Sequence, residues 1–236
     1  MNHKERFYAT IERMEVDRPA SWLGLPDPEA VPQLLQYFGA GDLNELRNII
    51  DDDVHPVTIP YHSPVSDAIE MAFDFAQKGR SDPEHRTLNS PGFFEDMTDP
   101  SRVNDFDWPQ PEDHIDPEEC REVINGIPDD KAKVGVIWSA HFQDTFAAFG
   151  MENACVQMMM APEMVHAVTD RIIDFYLRAN KIFYEATKDK LDAILIGNDF
   201  GGQSGLLVSP EMVKEFAFPG TQKLVNQAKE YGLKVI

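Results

Sequence analysis

Lys133-Val134-Gly135-Val136-Ile137-Trp138 is a short, nearly continuous apolar run, the pattern of a strand buried on both faces, and the elements on its C-terminal side decide the fold. Phe142, Phe146 and Phe149 fit a short helix next. Pro162-Glu163 then opens a long helix carrying Met164, Val168, Ile172, Phe175, Ala179, Ile182 and Ala186 on one stripe. Leu191 to Ile196 is a second buried strand. After the glycine-rich stretch 197–205, Ser209-Pro210-Glu211 starts a further helix, kinked near Pro219. Tyr231-Gly232 ends it, and Leu233 to Ile236 begins another strand. Strand alternating with helix predicts a parallel α/β sheet, either open and doubly wound or closed as a barrel.

Upstream the pattern is less regular. Phe7, Ile11 and Met14 predict a helix over 4–14, broken by Val16-Asp17-Arg18-Pro19 before the apolar run Ser21-Trp22-Leu23. Asp27-Pro28-Glu29 reads as a helix start. The helical periodicity beyond it is interrupted at Gly39-Ala40-Gly41. His55 to Tyr61 is a strand candidate weakened by Pro56 and Pro60. Residues 77–133 form an irregular, Asp/Pro-rich insertion with aromatic islands at Phe93-Phe94 and around Trp108, read as core anchors or as a lid. Within it, Asp116-Pro117-Glu118-Glu119 resembles a helix start with Glu119 at the capping-box position. Candidate strands thus fall near 21–25, 55–61, 134–139, 192–197 and 233–236, five where a closed barrel has eight. With a strand under way at Ile236, the reading is one incomplete parallel α/β domain whose open edge predicts self-association, a possible homo-oligomer.

The 236 residues carry a formal net charge of −20, which argues against nucleic acid as a partner because a polyanion meets an unfavourable average field. No apolar stretch is long enough for a membrane helix and the first residues do not read as a signal peptide, so the chain reads as cytoplasmic, with no membrane partner. Two isolated cysteines, Cys120 and Cys155, make neither a disulfide framework nor a zinc site.

In parallel α/β folds ligands sit at the carboxyl ends of strands, which directs attention to four places. They are Trp22 to Pro26, Tyr61-His62-Ser63, the run from Ser139 through His141 to Gln143, and Asn198-Asp199 with Gln203 behind them. Asp199, at a strand end followed by flexible backbone, suits a general acid/base, an acceptor for substrate N–H groups or a metal ligand; an Asx-type loop cap is the competing reading. His141 is equally compatible with a catalytic role and with a helix-start histidine bonded to backbone. His62 leans toward a structural role, and the glycines match neither the P-loop nor the dinucleotide fingerprint.

These residues carry a resemblance. Arg6 to Pro19, Val134 to Phe142, and Gly197-Asn198-Asp199-Phe200-Gly201 through Leu206 to Met212 are similar to uroporphyrinogen decarboxylases and, more closely, to their cobamide methyltransferase relatives. The resemblance implies a (β/α)8 TIM barrel of that superfamily, here incomplete, with Asp199 and His141 catalytic; Trp22, His62, Asn198, Gln143 and Gln203, from their places at strand ends, are expected at the substrate. The decarboxylases have an Arg-Gln-Ala-Gly-Arg type segment after the first strand and a catalytic aspartate after the second. Here those regions read Leu23-Gly-Leu-Pro-Asp-Pro-Glu29 and Pro60-Tyr-His-Ser-Pro64.

The methyltransferase branch uses zinc held by a His-x-Cys pair just after the strand that begins here at Leu233. The chain ends at Ile236, so no zinc ligand carries over and no metal is expected in it; zinc and a corrinoid are implied for a full-length form. The implied activity is methyl transfer from a corrinoid to a thiol or other small acceptor, the partner being a small molecule or a corrinoid protein. Decarboxylation of a tetrapyrrole is the alternative, and a truncated, non-catalytic binding protein is the alternative of another class.

Overall fold

The computed structural model describes residues 1–76 and 87–236; residues 77–86, the first part of the expected insertion, lie outside the described residues. The strands in chain order are β1 (Val54–Thr58), β2 (Ala132–Trp138), β3 (Ala193–Ile196), the two-residue strands β4 (Gly201–Gly202) and β5 (Gly205–Leu206), and β6 (Lys234–Val235). β4 and β5 pair only with each other, whereas β1, β2, β3 and β6 lie side by side as one parallel sheet. Val54 pairs with Ala132, Val134 with Ala193 and Ala193 with Lys234. The strand order does not reverse within this sheet, so it lacks the switch point of a doubly wound fold.

The two sheet faces are packed differently. Val57, Ile137 and Ile194 point into the main core, which the helices α4 (Pro117–Asn125), α5 (His141–Phe149), α6 (Met151–Met160), α7 (Pro162–Ala186), α8 (Pro210–Phe216) and α9 (Phe218–Glu230) share. Gly135 lets α7 close on this face: a Cβ there would lie 2.8 Å from Ile194 Cδ1 and 3.0 Å from Phe183 Cε1. The α7 stripe keeps Ile182 and Ala186 against the core, half-buried, and adds the buried Phe183 and Tyr184 beside them. Val54, Ala132, Val134 and Ala193 face the other way, in a small cluster with Phe7, Tyr8, Ala20, Trp22 and Leu195.

Asp53 and Asp192, each one residue before a strand, tie the N-terminal helix α1 (His3–Ile11) to the amino ends of the sheet. The fully buried Asp53 carboxylate accepts from Arg6 Nη1 (2.6 Å), Arg18 Nη1 (2.5 Å), a His3 ring nitrogen (2.9 Å) and Ser21 N (2.8 Å). Burial alone would raise its pKa, but these four donors together hold it well below the usual carboxylate range. Asp192 accepts from Tyr8 Oη (2.7 Å), Lys4 Nζ (2.8 Å) and Lys133 N (2.9 Å).

Several expectations are corrected. Residues 21–25 form no strand: Ser21 N and Leu23 N donate to the Asp53 and Asp52 carboxylates, which replace a backbone ladder. The helix expected at Asp27 begins at Val31 as α2 (Val31–Phe38), after a turn in which Glu29 N bonds Asp27 Oδ1. A separate α3 (Leu43–Ile49) follows Gly39, whose φ of 69° ends α2. Asp116 caps α4 through Glu118 N, while Glu119 turns away to His62. The single kinked helix is two, α8 and α9, with the break at Ala217.

The described part of the insertion is core. Phe94 and Phe106 pack with Phe73, Phe75 and Trp108, and Phe73 stands edge-on to Phe175 of α7. Trp108 Nε1 donates to Val103 O at 2.8 Å. No helix among the described residues is long and apolar enough to cross a membrane.

Candidate functional site

The site is built where β2 and β3 end. β2 leaves the sheet through two consecutive left-handed residues, Trp138 (φ 62°) and Ser139 (φ 50°), with short Ser139 N→Ile137 O and His141 N→Ser139 O bonds of 2.7 Å. Such geometry costs on the order of 1–2 kcal/mol per non-glycine residue and persists only where the surroundings enforce it. Its effect is to lay the Trp138 indole against Gly197 at the start of the next loop. A Cβ on Gly197 would lie 2.7 Å from Trp138 Cε3, and Gly197 N donates to Trp138 O at 2.8 Å. Trp138 remains 38% exposed, so a ligand can reach it.

From Gly197 the chain passes Asn198, Asp199 and Phe200 into the small β4–β5 hairpin, with Gln203 exposed at its tip. Asp199 is exposed and makes no hydrogen bond or ion pair with the described residues. Around it are apolar side chains. Phe200 stands against Phe142 and Phe218, at 5.6 and 6.2 Å between ring centres. Leu206 and Phe218 are exposed like Trp138.

His141 differs from its catalytic expectation. It is fully buried, with Nδ1 3.1 Å from Ser139 O and Nε2 3.0 Å from Ala217 O, and burial lowers its pKa despite both carbonyls. Asn198 Oδ1 accepts from Phe142 N (2.9 Å), which turns Asn198 Nδ2 toward His141 Nδ1 at 3.4 Å. Gly220 leaves room for the His141 ring, since a Cβ there would lie 2.3 Å from Ile173 Cδ1 and 2.9 Å from His141 Nε2. His141 and Asn198 therefore lock the β3 loop and the α8–α9 junction to α5; neither is free to act on a substrate.

His62 and Trp22 are held by partners of their own. His62 is exposed, 3.1 Å from Asp67 and 3.0 Å from Glu119, and hydrogen bonds to these two carboxylates raise its pKa. It pins the segment after β1 to α4. Trp22 packs in the small cluster on the opposite sheet face with its Nε1 buried and unpartnered. Gln143 has its Oε1 buried without a partner.

One group lay outside the expected set. Asp144, in the first turn of α5, accepts from Tyr176 Oη at 2.7 Å. Loss of hydration pushes its carboxyl up to about 7, with the Glu70 charge adding and the Tyr176 bond opposing. The same burial drives the Tyr176 phenol well above its ordinary value. A strand-end helix with an acid in its first turn is visible in the sequence; its buried Tyr176 partner, 32 residues away on α7, is not.

Among the described residues no group of three or more His, Cys, Asp or Glu side chains could hold a metal ion. Cys120 is buried in α4, where burial pushes its thiol up to about 11, and burial also raises the Cys155 thiol on α6. Neither suits a zinc thiolate. The implied zinc therefore does not fit these residues.

No family model matches the chain, and no curated protein matches it. Among solved structures it is similar to a methyltransferase from Methanosarcina mazei, with a TM-score of 0.62 and 15% sequence identity over all of this chain and 68% of that one. At that identity the likeness is one of fold.

Proposed function

We propose that this sheet is an arc of a (β/α)8 barrel of the uroporphyrinogen decarboxylase type, and that the protein takes part in methyl transfer from a corrinoid to a thiol or another small acceptor. One observation carries the reading. An exposed, unpartnered carboxylate, Asp199, follows the carboxyl end of β3 between Gly197, which meets the Trp138 indole, and Phe200, which meets Phe218, in a fold that matches 68% of a methyltransferase. The apolar surround suits the flat face of a macrocycle presented by a carrier protein, and the carboxylate suits the acceptor's proton. The acceptor sulfur takes the methyl group as its proton passes to Asp199, and the donor keeps the electron pair of the broken bond. Trp138 would form the floor, Gln203 would offer an amide from the hairpin tip, and no step is routed through zinc.

The test is methyl transfer from methylcobalamin to a simple alkanethiol, followed by the visible spectrum. Asp199→Asn should lower kcat/KM by about 100-fold or more, the usual worth of a general base, with the melting temperature unchanged. Turnover that is indifferent to Asp199→Asn removes that residue from the mechanism. No methyl transfer to any thiol overturns the reading itself.

A further inference from the structure

At the opposite end of the sheet, the amino ends of β1 and β2, lies a cavity of about 190 Å³ that the proposed chemistry does not use. Arg47, Asn48, Asp52, His55 and Lys131 are among its lining residues. Arg47 is only 6% exposed, and its Nε is buried without a hydrogen-bond partner; the bond from its Nη1 to Asn44 Oδ1 is long at 3.4 Å. No carboxylate forms an ion pair with it among the described residues, although Asp52 is near enough to favour its charge. Lys131, 7% exposed, bonds Asp52 O at 2.5 Å and His3 Nε2 at 3.2 Å, neither of which is an anion. Two buried cations without carboxylate partners are anomalous in any protein and more so in one of net charge −20.

We propose that this cavity is a binding site for a small oxyanion, a phosphate or a carboxylate, held between Arg47 and Lys131. The bound oxygens would accept from the Arg47 guanidinium and from the Lys131 ammonium, as charge-assisted hydrogen bonds do elsewhere. Asp52 fits the same picture. Its Oδ2 accepts from Leu23 N, while its Oδ1 is buried and unpartnered, and burial raises its pKa. His55, with Nε2 3.1 Å from Asn44 Oδ1, stands at the same wall and would gain from the added negative charge. Because Asp52 and Lys131 also position Leu23, His3 and the start of β2, filling the cavity would brace the amino end of the sheet.

Isothermal titration with inorganic phosphate, and separately with acetate, at ionic strength held constant by chloride tests the proposal on the intact chain. The expected result is saturable binding of one anion per chain, weakened about tenfold or more by Arg47→Gln. Tighter phosphate than acetate would mark a phosphoryl site, and the reverse a carboxylate site. Asn48 is exposed at the rim, so Asn48→Asp should fold normally and weaken binding at least ~3-fold by charge repulsion; it decides the matter if Arg47→Gln does not fold. Absence of saturable binding for both anions, or binding unchanged in the variant that folds, overturns the proposal.

Discussion

The two ends of the same parallel strands treat their carboxylates in opposite ways. At the amino ends Asp53 and Asp192 are buried and surrounded by donors, and α1 is stapled down by them. At the carboxyl ends Asp199 is exposed and unpartnered, while the half-buried Asp144 accepts from the Tyr176 phenol. A carboxylate saturated with internal donors holds elements together and has no capacity left for a ligand. One left open, or held near neutrality, keeps that capacity. The contrast puts the donor-saturated carboxylates at one end of the sheet and the open one at the other, the end where parallel α/β folds generally bind ligands.

The sharpest way to break this contrast is Asp53→Ala. Arg6 keeps Asp17 and Arg18 keeps Asp51, but Ser21 N and the inner sides of both guanidiniums lose their acceptor, so urea unfolding at pH 7 should show a loss of about 3 kcal/mol. A loss below about 1 kcal/mol would mean that the staple is ornamental. Next in size is Gly220→Ala, whose Cβ meets Ile173 and the His141 ring; overpacking of this kind costs about 1–3 kcal/mol, and loss of the His141–Ala217 bond should accompany it. The imidazole resonances would report that second effect directly.

The pH dependence separates the two ends more finely. Asp53 has a lowered pKa in the folded state, so its contribution is present above the ordinary carboxylate range, near pH 4, and disappears as the pH falls through that range and below. Asp144 has a raised one, so its contribution is present below about pH 4 and is lost as the pH rises through about 7. Asp144→Asn keeps an acceptor for Tyr176 and removes the ionisation. Its stability relative to wild type should therefore be higher at pH 8 than at pH 5, read from urea midpoints at the two values; equal differences would refute a near-neutral Asp144. The smallest stability effect belongs to Asp199→Asn, expected within about 0.5 kcal/mol of wild type because nothing in the described structure leans on that side chain.

Much of the site's scaffolding was legible in the chain. The buried strands at 132–138 and 193–196 follow from unbroken apolar runs, and Asp199 follows from its place just past one of them. The strand at 21–25 did not form, and His141 took up the backbone-bonded place at a helix start, for a common reason. Both depend on groups far away in sequence: Ala217 O and Gly220 for the histidine, the Asp52 and Asp53 side chains for the segment near Trp22.

By itself the sequence determined the alternation of buried strands and amphipathic helices, the acidic balance of the molecule and the position of Asp199, because periodicity, charge and loop placement are local properties. Only the tertiary structure decided that the strands run in one unreversed order, that His141 is a brace, that Asp144 meets Tyr176, and that Arg47 and Lys131 share a cavity. Burial and partners set the charge state and availability of a side chain, and both are assembled from residues that the chain brings together only when it folds.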